Sequence, residues 1–583
     1  MRKFEMGNTR SLMPFLCRQK TAIRRGILFF LSFVLCLPTV MPGQEFLAPE
    51  EVEAVQAITA TQNDLVGPAG TERFGAATVV LPNGNLVVTD PFYDITTPFP
   101  VEDAGAVFLY NGGSGTLIST LTGDEPSDQV GSGGVTLLAN GKFVVSSPNW
   151  SNFRGAATVC SPISGCGSII TAGNSLIGSA PGDNVSNYGV KALTNGDYVV
   201  RSANWNSGRG AATFGNSASG VSGAISGSNS LVGTVSGDAI GDIDVVALPN
   251  GNYVVLSGNW NGTGAATFGN SAIGGAIGTV SPANSLVGSS AGDFANVRIT
   301  ILTNDNYVVT NSHWNNIPMS APDAGAATWG SKTAGISGVI SSSNSFVGSQ
   351  ANDQVGGSPG VVALVNGNYV VGSSEWNSQM GAATWGDGVT GSSGIVSDTN
   401  SLVGINTSVQ LPGISDAASI YPLSNGNYVV TCPACSVNFQ YNGAITWGNG
   451  STGTSGVVSA ANSLYGANDF DSIGRGVLAL PNGNYVVTSE YWNDARGAVT
   501  LVNGAAAASA AVGAGNSLTG ANPNDFVGSG KTLLLTNGNY IVFSPGWNNN
   551  AGAATWMNGL AATGGTVSAA NSLIGTSAGD RIG

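Results

Sequence analysis

One histidine serves 583 residues, and only 9% of the chain is charged. The lone His313 has no second histidine to share a metal, and no Ser-His-Asp arrangement can be specified around it. Six cysteines are too few for a disulfide framework of this length, and two of them, Cys17 and Cys36, fall in the N-terminal leader. Amphipathic helical periodicity is nearly absent; only residues 49–58 offer a short helical stretch, which reads equally well as linker. The one long apolar run, residues 27–40, contains Pro38 and is short for a membrane span. With Arg18, Lys20, Arg24 and Arg25 ahead of it, the leader 1–43 reads as an export signal. Residues 44–62 read as linker, and no transmembrane helix is expected in the mature chain. Without the leader, 12 basic and 32 acidic residues remain, a net charge of −20. That balance argues against nucleic acid and anionic lipid as partners.

What the chain does have is repetition. The turn asparagines Asn83, Asn140, Asn195, Asn250, Asn304, Asn366, Asn425, Asn482 and Asn537 recur at spacings of 54–62 residues. Each marks one unit of a nine-fold repeat of about 57 residues over 63–583. A composite unit reads Gly-Val-Val-Ala-Leu, Pro-Asn-Gly-Asn, Tyr-Val-Val-Thr-Ser, a variable loop, then Gly-Ala-Ala-Thr-Trp-Gly. A Gly-rich turn, Gly-Val-Val-Ser and Asn-Ser-Leu-Val-Gly complete it. An Asn-Gly turn between apolar runs is a strong hairpin signal. Four short strands fit each unit. They are apolar on both faces, as sheets covered on both sides are. The expected fold is all-β: a β-propeller of about nine four-stranded antiparallel blades, with a β-solenoid or a truncated propeller array as alternatives.

Residues 103–112, Asp-Ala-Gly-Ala-Val-Phe-Leu-Tyr-Asn-Gly, precede Leu-Thr-Gly-Asp at 121–124 and Asp-Gln-Val-Gly at 128–131. Together they resemble the FG-GAP repeat of integrin-α-type propellers. Most of 63–583 resembles a bacterial secreted repeat family of unknown function with an Asn-Gly-Asn-Tyr-Val-Val core. The FG-GAP resemblance implies an extracellular seven-bladed propeller that binds proteins and often holds Ca²⁺ in its first hairpin loop. Here that loop is Pro-Asn-Gly-Asn, without the alternating carboxylates Ca²⁺ takes, so no cofactor is expected.

Three residue series compete for function. Acids recur before a glycine or its replacement: Glu72, Asp128, Asp183, Asp238, Asp293, Asp353, Asp471, Asp525 and Asp580, with none around 408–414. They read either as a cation-binding ring or as turn-forming side chains that accept from nearby N–H groups. Tryptophans recur at the end of the second strand: Trp150, Trp205, Trp260, Trp314, Trp376, Trp492 and Trp547. They read as sugar-stacking platforms or as packing between blades. Aromatics also recur on the third strand: Phe214, Phe268, Trp329, Trp385, Trp447 and Trp556.

Cys160 with Cys166, and Cys432 with Cys435, are expected to pair as local disulfides in an exported protein. The loops after the second strand vary most, long at 91–104 and 315–324 and short at 151–154. Recognition concentrates in variable loops on a rigid frame. The candidate ligand face is therefore Tyr93, Phe99, Asp103, Asn315 and Asp323. The functional expectation is a secreted or cell-surface scaffold, not an enzyme, that binds an extracellular protein or glycan. The alternative is a propeller lectin or a carboxylate-dependent glycan-active enzyme.

Overall fold

The computed structural model describes residues 64–405, 420–439, 441–561 and 564–583. The expected signal and linker, the residues around 408–414 and the possible helix at 49–58 lie outside these. The repeats form a unit of their own, Asp64–Gly583. It is all-β: nine repeats build nine sheets of four or five strands.

Repeat 4 illustrates the plan. Its first strand, Asp244–Ala247, turns through Pro249-Asn250-Gly251 into the second, Tyr253–Ser257. In this turn Gly251 alone takes a left-handed conformation, φ +88°. In repeat 5 the same position is Asp305, φ 69°. The third strand, Ala265–Gly269, pairs antiparallel with the second and places Tyr253 opposite Gly269. A Cβ at Gly269 would lie 2.2 Å from Cζ of Tyr253, so glycine is what lets the ring cross the strand. The fourth strand, Ser285–Val287, completes the sheet. Thr267 and Ser285 join across it through their hydroxyls at 2.7 Å.

The run read as Gly-Val-Val-Ser does something the sequence did not reveal. In repeat 4 it is Gly278–Thr279, and it pairs in parallel with Leu231–Val232, the fourth strand of repeat 3. It is an exchange strand: each sheet from the second to the eighth takes its fifth strand from the following repeat. The first sheet receives a single bridge of the same kind, Thr122 to Ile169.

The core lies between successive sheets. Leu193, Val199, Phe214 and Leu231 of repeat 3 pack on Val245, Tyr253, Val255 and Trp260 of repeat 4. Full burial of each such side chain contributes roughly 1.5–3 kcal/mol. The Asn-Gly-Asn motif adds a polar staple to this interface. The side-chain amides of Asn250 and Asn252 both donate to the Lys332 carbonyl of repeat 5, each at 2.8 Å. Asn304 and Asn306 clamp Gly388 in the same way, and Asn366 and Asn368 clamp Gly450. The motif is thus a turn former and an inter-repeat clasp at once.

Candidate functional site

The loops after the second strands are built on the acid series. In repeat 6 the segment Trp376–Gln379 turns through positive φ at Asn377, Ser378 and Gln379. Asp353, buried in the turn after the fourth strand of repeat 5, holds that loop. Its Oδ1 accepts from the Asn377 backbone N–H at 2.8 Å. Its Oδ2 accepts from the N–H groups of Ser349 and Gln350. Asp183, Asp238, Asp471 and Asp525 repeat the arrangement. Each carboxylate is therefore a buried turn lock. Burial pushes Asp128 and Asp471 above the usual carboxylate range despite the N–H groups that oppose it. At Asp238 burial also pushes upward, but the N–H groups of Val235, Asn261 and Thr234 outweigh it and the net shift is downward.

The second-strand tryptophans are buried between repeats and present no stacking face to solvent. Trp492 donates its indole N–H to the Val512 carbonyl at 3.1 Å. The third-strand tryptophans Trp329, Trp385 and Trp447 are half-buried and reach forward. Their indoles donate to the carbonyls of Gly388, Gly450 and Gly504 in the next repeat.

The loops of repeats 5 and 1 depart from the regular lock, as does that of repeat 7, where Cys435 takes the tryptophan position. In repeat 5 the anchor survives: Asn315 donates its backbone and side-chain N–H to Asp293 Oδ1, at 3.0 and 2.9 Å. The chain then makes a small hairpin, closed by Asn316 and Ala321 exchanging backbone hydrogen bonds. Asn316 is pinned by its side-chain amide to the Gly348 carbonyl. The hairpin leaves a cleft of about 300 Å³ lined by Ser290, Asn315, Asn316, Ile317, Ala321 and Pro322, with Ser320 at its edge. Asp323 donates its N–H to Asn315 Oδ1, and its carboxylate meets Nδ1 of the half-exposed His313 at 2.8 Å. Asn315 and Asp323 are therefore brought together. The sequence singled out both but did not foresee that His313 joins them.

In repeat 1 the expected residues do different work. Tyr93 packs edge-on against Phe108, ring centroids 5.5 Å apart. Asp103 takes φ 51° and donates its N–H to Asp94 Oδ1. Phe99 is 80% exposed. This group and the repeat 5 group lie in separate local networks, four repeats apart. Both expected cysteine pairs stand at disulfide distance, with Cα separations of 4.3 Å for Cys160–Cys166 and 5.3 Å for Cys432–Cys435. Among the described residues, no cluster of three or more His, Cys, Asp or Glu could hold a metal ion. Among them too, no helix is long and apolar enough to cross a membrane.

Comparison with known families matches one model nine times, at residues 80–132, 137–187, 192–242, 247–296, 301–357, 363–412, 422–475, 479–529 and 534–583. No curated protein matches the chain. A solved structure titled "Crystal structure of the eukaryotic initiation factor" is similar over 78% of this chain and 92% of its own. Its identity is 9% and its TM-score 0.28, too low to carry an argument. The chain belongs to the family described as a repeat of unknown function, DUF5650.

Proposed function

We propose that this member of the repeat family is an exported, non-catalytic binding or adhesion scaffold. Its sheets act as blades of a propeller-type array of the FG-GAP kind, and an extracellular protein or glycan is engaged at the loops after the second strands. The propeller reading rests on sheets covered on both faces and on first strands of neighbouring repeats that lie side by side. The non-catalytic reading rests on the acid series, whose oxygens are taken up by backbone N–H groups. Export fits the two cysteine pairs.

One observation carries the choice of site. Repeat 5 keeps the Asp293 lock yet replaces the regular turn with a pinned hairpin beside a cleft and a half-exposed His313–Asp323 pair. A loop that departs from the regular turn while its frame stays intact is a loop freed for recognition. The test replaces residues 314–324 with the five-residue loop of repeat 6, residues 376–380. The chimera should keep the wild-type melting temperature and lose binding in a screen of glycans and extracellular matrix proteins. Unchanged binding by a folded chimera would remove repeat 5 from the site.

A further inference from the structure

The connections from third to fourth strand lie at the opposite end of the sheets from the loops after the second strands. In repeat 6 the second and third strands, Tyr369–Ser373 and Ala382–Gly386, are antiparallel, so the chain is back at the Asn366-Gly367 turn when its Gly-rich turn begins. There the Gly388 N–H donates to Asn368 Oδ1 at 3.0 Å. At this end repeats 5, 6 and 7 frame a cleft of about 290 Å³. Phe346 of repeat 5 and Trp385 of repeat 6 line it with aromatic surface. Two turns line it with polar groups: Ser392, Ser393, Thr399 and Asn400 of repeat 6, and Thr-Gly-Thr-Ser at 452–455 of repeat 7. Among the described residues, none that lines it is charged.

One position sets this polarity. The residue two before the exchange strand is Val221, Ala276, Ile336 and Ala508 in repeats 3, 4, 5 and 8, and there it packs into the core between repeats. In repeats 6 and 7 it is Ser392 and Thr454, and both line the same cleft. A hydroxyl at a core position forgoes apolar packing and needs polar partners. Ser392 Oγ accepts from the Asp387 N–H at 3.0 Å, and Thr454 Oγ1 from the Asn449 N–H at 2.9 Å. Each keeps its own O–H to donate. Asn400 accepts from the Ser397 N–H and gives one amide N–H to the Ile395 carbonyl, keeping the second. Trp385 is held in place beside them. Its indole N–H is on the Gly450 carbonyl at 2.9 Å. The backbone at Gly453, φ +78°, runs so close that a Cβ there would stand 3.0 Å from Cβ of Trp385.

We infer that this cleft of repeats 5 to 7 binds a neutral saccharide, as a short stretch of a longer glycan. An uncharged sugar offers C–H faces to an aromatic ring and hydroxyls that both donate and accept. Trp385, Phe346 and the serine, threonine and asparagine groups complement both. The volume falls at the lower end of small-ligand sites, roughly 300–1,000 Å³, which suits a few sugar rings and not a folded partner. The acidic balance of the chain works against sugars that carry carboxylates or sulfates. The cleft is separate from the repeat 5 hairpin, and its ligand does not depend on what that hairpin binds.

The test titrates the intact chain with cellohexaose, maltohexaose and chitohexaose, and with hexagalacturonate as the charged control, by saturation-transfer NMR and calorimetry. At least one neutral hexamer should bind with a Kd of about 1 mM or tighter, and hexagalacturonate should not. Ser392→Val combined with Thr454→Val installs the residue of repeat 3. It should keep the wild-type melting temperature and weaken binding at least about tenfold. Thr452→Trp, at an exposed position, should plug the cleft and abolish binding in a folded chain; it decides the matter if the double variant melts early. The chimera that replaces residues 314–324 should bind the hexamer as wild type does. Four results would overturn the inference. No neutral hexamer binds at about 10 mM. A hexamer binds, but Thr452→Trp leaves its affinity unchanged. The 314–324 chimera loses the hexamer. Hexagalacturonate binds as tightly as the neutral sugars.

Discussion

Repeat 1 and repeat 9 present outer faces of opposite character. Repeats 3 to 7 place tyrosine on the second strand, threonine and glycine on the third. Repeat 1 substitutes Leu86, Phe108 and Tyr110 at those positions, and the result is an aromatic cluster with Phe74 and Tyr93. Buried Asp90 ties the covering segment down by accepting from the N–H groups of Glu72 and Arg73. Repeat 9 keeps Tyr540 and Thr555 and places Met557 at the glycine position, with Trp556 56% exposed beside it. In an array stabilised by nearest neighbours, a terminal face is either rewritten as a cap or left able to accept another unit. Repeat 1 carries the rewritten kind.

The largest expected effect breaks the capped end. Phe108→Ala should lower stability by about 3–5 kcal/mol, because the ring is buried and the cluster around it cannot collapse. Leu573→Ala at the exposed end should change stability by no more than about 0.5 kcal/mol. Urea denaturation of the two variants checks the contrast, and equal losses would mean that the repeat 9 face is covered in solution.

Next comes the turn lock. Asp238→Ala removes a buried carboxylate that accepts from Thr234, Val235 and Asn261 and leaves those N–H groups without their acceptor. A loss of about 2–3 kcal/mol is expected, with hydrogen exchange rising first in the loop after Trp260. Asp580→Ala, at the same repeat position but exposed, should have a smaller effect and no exchange signature beyond 576–583. A like response from both would mean that covering by a neighbour adds nothing to the lock.

The repeat period, the antiparallel hairpins and the scaffold role of the acids were legible in the sequence, because each depends on residues close in the chain. Asn-Gly marks a turn, and Asp bonds the N–H groups three and four residues back. The exchange strand was not legible. Gly278–Thr279 looks like any other short apolar run, and only the three-dimensional path shows that it pairs with repeat 3. The second purpose of Asn250 and Asn252 was hidden for the same reason: their acceptor lies about 80 residues away. At the candidate site, Asn315 and Asp323 were readable from loop length. The place of His313 was not, because its partner Asp323 lies across the loop.

A smaller effect concerns a brace that only the capped end has. The repeat 2 carbonyl that receives Asn83 and Asn85 is that of Pro162, inside the loop closed by Cys160 and Cys166. At the other end, Gly559 receives Asn482 and Asn484 with no such closure. Replacing both Cys160 and Cys166 by alanine should lower stability by about 2 kcal/mol, since the closed loop is short. The loss should appear as faster exchange between repeats 1 and 2, with the repeat 8–9 contact unchanged. Mass spectrometry without reductant that found all four of Cys160, Cys166, Cys432 and Cys435 alkylatable would remove the brace altogether.

The smallest effect is in proton linkage, where the two ends should differ in sign. Asp128 lies beneath the loop of repeat 2, and burial raises its pKa despite the N–H groups of Glu125, Ser151 and Asp124. Asp580 makes the same turn with nothing above it, and the N–H groups of Ser577 and Thr576 lower its pKa. A carboxyl raised by folding binds its proton more readily in the native state. Its contribution is greatest below the unfolded value and is lost as pH rises through the folded one. A carboxyl lowered by folding contributes above the unfolded value, and that contribution is lost as pH falls through the folded one. Urea midpoints between about pH 6 and pH 3 should therefore separate Asp128→Asn from Asp580→Asn. Relative to the variant, wild type should gain stability at Asp128 as pH falls toward the ordinary carboxylate value, and lose it at Asp580 below that value. Slopes of the same sign at both positions would mean that burial of Asp128 does not outweigh its N–H donors.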